Sequence, residues 1–203
     1  KTRAAFYRHT QVRTEQNTPT MLHLRIILMG LFLASTLPAV AQTLQTTEFN
    51  QLRLERTRNS MLVLGGWAVA NIAVGAVAMG RGNAEQRAFH QMNLGWGIVN
   101  LGLAGAGWWT ATHTDPSSFD LYNTVQEHHR LQKILLFNAG LDVGYVAAGF
   151  WMQEKAKTVD KKAEQWKGFG KSIVLQGAFL LVFDVSAFFY LNGLESKLQP
   201  LIR

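Results

Sequence analysis

Two carboxylates stand where a charge is costly. Asp142 lies near the middle of the apolar run ILLFNAGLDVGYVAAGFWM (134–152). Asp184 lies near the middle of SIVLQGAFLLVFDVSAFFYLN (172–192). An aspartate at the centre of a membrane-spanning helix costs about 3 kcal/mol on insertion scales, and no Lys, Arg or His falls within either run to neutralise it. Two carboxyls that face one another in a low dielectric cannot both be ionised, so such a pair holds a proton or traps a cation. The same residues admit a plainer reading. A protonated Asp, together with Asn side chains, Tyr145 and Gln176, could close a hydrogen-bond network that only fixes helix register.

The elements that must position these acids are four apolar runs. Besides 134–152 and 172–192 there are SMLVLGGWAVANIAVGAVAMG (60–80) and MNLGWGIVNLGLAGAGWWTA (92–111). Each is about 20 residues, the length that crosses roughly 30 Å of hydrocarbon at 1.5 Å per residue. Each carries one strongly polar residue near its centre: Asn71, Asn100, Asp142 and Asp184. Each of these shares a helical face with other polar or small residues. The faces read Trp67, Asn71, Val74, Ala78; Asn93, Gly97, Asn100, Ala104, Gly107; Asn138, Asp142, Tyr145, Gly149; and Gly177, Leu181, Asp184, Phe188. Polar residues aligned with small ones point into a helix bundle, where backbones approach and amides find partners. A second small-residue line, Gly140, Gly144 and Ala148, is available to another helix or to a second copy of the chain. The hairpin carrying Asn71 and Asn100 parallels the one carrying Asp142 and Asp184, which hints at a parallel pseudo-repeat about the membrane normal.

The remainder of the chain fits around those runs. With 203 residues, 48% hydrophobic and 16% charged, it could be a soluble domain, but its charges come in blocks between apolar stretches. Residues 1–20 have no apolar period and read as an upstream extension outside the fold. From Met21, a basic Arg25, a short apolar stretch (26–37) and Pro38-Ala39-Val40-Ala41 read as a cleavable signal peptide, 21–41. The apolar part is too short to span, and the Ala-x-Ala end is what signal peptidase accepts. The domain proper is then 42–203, with spans at about 60–80, 92–111, 133–152 and 172–192. Asn83 with Gln86 marks a helix start after the first span. Asp115-Pro116 and Ser118 mark the start of a helix that runs into the third. A signal peptide places both mature ends outside and the 81–91 and 153–171 loops in the cytoplasm. Eight Lys and Arg lie in those inner loops against seven in the longer outer segments, counting Lys133 at the edge of the third span, a bias of the right sign.

Other signals fail on their own chemistry. The net charge of +7 is topological, so nucleic acid is not expected as a partner. With no cysteine, thiol chemistry and disulfides are excluded. Gly168-Phe169-Gly170-Lys171-Ser172 ends like a phosphate-binding loop, but the required first glycine is Gln165 and a membrane helix follows. His113, Glu127, His128 and His129 lack the spacing of a metal site and read as solvated surface. His90 reads as an interfacial histidine. No nucleophile–base pair is visible, so the chain is not read as an enzyme and no cofactor is expected.

The runs QMNLGWGIVNLGLAG, LQKILLFNAGLDVGYVAAGF and LQGAFLLVFD resemble a family of small bacterial membrane proteins known only as a domain of unknown function. The resemblance covers about 50–193 and implies a signal peptide and four helices; the location expected for such a chain is a bacterial cytoplasmic membrane. It brings no activity or site residues.

The expectation is therefore an all-α polytopic membrane protein, a four-helix transmembrane bundle of two hairpins behind a signal peptide. Its buried polar layer comprises Asp142, Asp184, Asn71, Asn100, Asn93, Asn138, Tyr145 and Gln176. The Asp pair would serve proton- or small-cation-linked transport or binding. The alternative is a structural or assembly subunit whose layer only locks packing. The bilayer is the expected partner, with a second copy as a further one; the substrate is not readable.

Overall fold

The computed structural model describes residues 19–202. Among them every element is helical: α1 (Pro19–Ala78), α2 (Ala84–His113), α3 (Leu121–Lys155), α4 (Ala163–Asn192) and the short α5 (Glu195–Leu198). Single 3-10 turns occupy Pro116–Ser118 and Gln199–Leu201. The chain divides into two compact units, 1–41 and 42–203. The expected upstream extension lies outside the described residues, apart from Pro19 and Thr20. The stretch read as a signal peptide falls in the first unit, which is helical from Pro19 and contains the short apolar stretch His23–Phe32.

Among the described residues three helical stretches are long and apolar enough to cross a membrane: Val40–Ala78, Leu121–Lys155 and Ala163–Leu201. Four were expected. The shortfall is in α2, whose many glycines, Asn93, Asn100 and paired tryptophans lower its mean hydropathy although it is 30 residues long.

Helix starts follow the chemistry of their caps. Asn83 opens α2 with a complete capping box: its side chain accepts from the Gln86 amide, and the Gln86 side chain accepts from the Asn83 amide. Gly82, at φ 78°, supplies the left-handed residue that this tight turn needs. The next start is displaced from its expected position. Asp115 and Pro116 make only the 3-10 turn, and α3 begins at Leu121 behind Asp120, whose carboxylate accepts from the Asn123 amide.

Close packing depends on glycine. A Cβ on Gly149 would lie 2.7 Å from the Gly170 carbonyl oxygen, and one on Gly170 would lie 2.6 Å from that of Gly149. Here α3 and α4 meet backbone to backbone. α4 also packs along α2, and α1 meets α2 where Gly97 fits against Ala68 and Ile72. At the starts of α2 and α4, Glu85 pairs with Lys167 at 2.9 Å and Lys171 at 2.5 Å.

The segment after α4 is not the loose polar tail its composition suggests. Leu194, Leu198 and Leu201 are buried with Phe49 of α1. His128, expected as solvated surface, is fully buried here: its ring meets Phe49 edge-on at 5.2 Å and its Nε2 lies 3.3 Å from Glu195. Beside it Asn50 donates to Thr124 at 2.8 Å and accepts from Arg53 at 3.0 Å. Outside these clusters the helices present apolar surface, including Leu62, Val69, Ile98, Phe137, Phe150, Val182 and Phe189.

Candidate functional site

The eight polar residues anticipated from the sequence separate into two neighbouring groups. The first is closed. Gln176 of α4, with no exposed surface, donates from Nε2 to Asn71 Oδ1 of α1 and to Asn93 Oδ1 of α2, both at 2.8 Å. Its Oε1 accepts from the Trp67 indole at 2.9 Å. Ser172 adds a 2.6 Å bond to Asn93, and Asn71 donates to the Trp67 carbonyl at 2.8 Å. Each amide side chain in this group makes at least one hydrogen bond within it, and Phe179 stacks on Trp67 at 4.0 Å. Ser172 and Trp67 were not among the residues singled out as polar partners. Their spacing, one helical turn from Gln176 and Asn71 respectively, was the available signal.

The second group is open. Asn100, Asn138, Asp142, Tyr145 and Asp184 line a cavity of about 210 Å³, with Trp96, Leu180 and Phe183 among its apolar walls. Asp142 and Asp184 come from α3 and α4, both are buried, and their carboxyls lie within hydrogen-bonding reach of each other. A hydrogen bond between two carboxyls needs a proton on one of them. Asp142 is 3% exposed and Asn100 1%. Among the described residues, Asp142 Oδ2 receives no bond from a donor group and Asn100 Nδ2 finds no acceptor. No Lys, Arg or His lines the cavity.

On α2 the anticipated stripe is buried at Asn93, Gly97, Asn100 and Ala104, while its last member, Gly107, is half-buried. On α1 it is shifted. The buried residues are Leu64, Ala68, Asn71 and Gly75, while Val74 is exposed. Tyr145 reaches the cavity from a helix edge and remains 36% exposed.

The model of a family of unknown function, DUF6992, matches residues 63–185. The chain belongs to that family. The matched region takes in all eight polar residues, together with Trp67, Trp96 and Ser172, so both the closed network and the open cavity lie inside the family's domain. No curated protein and no solved structure matches the chain.

Proposed function

We propose that the chain is a four-helix transmembrane protein of a bacterial cytoplasmic membrane, made behind a cleavable signal peptide (21–41) with both mature ends external. In this reading the Asp142/Asp184 pair binds or passes a proton or small cation. The observation that carries it is the cavity itself: two buried acids in contact, an unsatisfied amide beside them, and no base in the lining. An acid pair kept only for packing would be expected to have its remaining hydrogen-bonding capacity filled, since unfilled capacity costs stability in a low dielectric.

The fourth span is α2. Its 30 residues extend about 45 Å at 1.5 Å per residue, ample for a bilayer. Its asparagines are turned inward, and the outward face carries Ile98, Val99, Leu101 and Leu103. The helix is thus apolar where lipid would touch it, although its average composition is not. The apolar side chains exposed on α1, α3 and α4 support the same setting.

A structural or assembly role for the polar layer is the second reading, and the closed Gln176 network favours it for that half. The two readings therefore divide by residue: Gln176 and its partners lock the helices, and the acids work. Asp142→Asn with Asp184→Asn tests this, because Asn keeps size and hydrogen bonding but does not titrate. If the double variant folds and proteoliposomes lose the proton or cation response of the wild type, the reading stands. If the response is unchanged, the working role is lost.

A further inference from the structure

The cavity is larger and greasier than a bare ion requires. A volume of about 210 Å³ holds about seven water-sized groups at about 30 Å³ each. Hard metal cations seek six or more oxygens around them, whereas most of this lining is aliphatic or aromatic carbon, with Trp96, Tyr145 and Phe183 supplying rings. Ring faces attract a cation, most strongly where water is excluded. At the polar end stand Asp142 and Asp184, able to accept from N–H donors, beside the orphaned Asn100 amide.

The way in is lateral. α4 packs along both α2 and α3, but α2 and α3 do not pack closely on each other. They meet through Trp96 and Tyr145, edge to face at 5.1 Å. Val99, Leu103 and Leu141 line the cavity and are themselves exposed, so the slot between α2 and α3 opens on the face that the membrane reading sets in lipid.

Resting on the cation reading above, we propose that the site takes a small organic ammonium ion, its N–H groups on Asp142 and Asp184 and its alkyl part against Trp96 and Phe183. An amphiphilic amine collects in the bilayer interface and enters through the slot; an inorganic ion has no such route.

Saturation-transfer NMR on the detergent-solubilised full chain near neutral pH tests this with n-butylammonium, its neutral counterpart n-butanol, and sodium and potassium as competitors. Saturable binding of n-butylammonium is expected, with n-butanol failing to compete. Affinity should weaken about tenfold or more in Asp142→Asn and in Asp184→Asn, the usual consequence of losing a charge-assisted bond, and also fall in Trp96→Leu, which leaves both acids in place. Should either Asn variant fail to fold, Trp96→Leu and the butanol comparison still decide. Equal binding of n-butanol would show a merely apolar groove and overturn the proposal. Absence of amine binding alongside an Asp-dependent sodium, potassium or proton response would overturn it while leaving the cation reading intact. Absence of amine binding and of any such response would remove both.

Discussion

Gln176 on α4 donates to Asn93 on α2 at 2.8 Å, entirely out of contact with solvent. The same nitrogen reaches Asn71 on α1, so one side chain ties three helices at a single level. Gln176→Leu would leave Asn71 Oδ1 and the Trp67 indole without their partner and would take from Asn93 Oδ1 one of its two donors. A loss of about 1–3 kcal/mol is expected, the range for orphaned buried polar groups. Thermal unfolding in detergent should show it as a lowered Tm; an unchanged midpoint would mean the network is not structural.

Asn100 should behave in the opposite way. Its Nδ2 is buried without an acceptor, so Asn100→Leu removes an unsatisfied donor and keeps the volume. Stability is expected to stay within about 0.5 kcal/mol of wild type or to rise, while the response at the Asp pair weakens. Asn93→Leu, measured beside it, should be clearly destabilising because Ser172 and Gln176 both donate to Asn93.

The glycines separate in the same manner. Gly149→Val places new atoms where only 2.7 Å separates a Cβ from the Gly170 carbonyl, so α3 and α4 must part. A cost of about 1–3 kcal/mol or more is expected. Gly144→Ala meets nothing within 4 Å, so thermal unfolding should show no loss, and a small rise is expected from the better helix propensity of Ala. A changed oligomeric state in Gly144→Ala, read by light scattering, would identify that stripe as a contact between copies.

Glu85 gives a pH signature outside the proposed spans. Its hydrogen bonds to Lys171 and Lys167 hold its carboxyl below the usual glutamate range. A carboxyl with a lowered folded pKa stabilises the fold above its unfolded value, about 4.3, and that contribution is lost as the pH falls through the lower folded value. The Tm difference between wild type and Glu85→Gln should therefore be steady near neutral pH and close below about pH 4. Because both lysines are partly exposed, salt should shrink the difference. A gap that widens in acid would contradict the assignment.

What could be read from residues alone was whatever local spacing encodes. Asn83 and Gln86 stand three apart and form their capping box; the α2 stripe of Asn93, Gly97, Asn100 and Ala104 is the buried face. Features that depend on meetings between distant segments were not legible. His128 looks like a surface histidine until Phe49 and Glu195 close around it. Leu194, Leu198 and Leu201 sit in a polar stretch too short to show a period, and Phe49, with Leu52, Leu121 and Val125 packed beside it, gives them a core. The split of the polar layer was equally hidden, because it depends on how far the Gln176 side chain reaches. The mean hydropathy of α2 falls short of the other three long stretches, because an average cannot tell asparagines turned inward from asparagines facing outward.

The central claim is that Asp142 and Asp184 form one working site. Proton or cation flux in proteoliposomes should be compared for Asp142→Asn, Asp184→Asn and the double variant, each first shown to be folded. Members of one unit are strongly non-additive, so each single substitution should abolish the response as fully as both together. A double variant with wild-type flux, or two singles whose losses simply add, would contradict the claim.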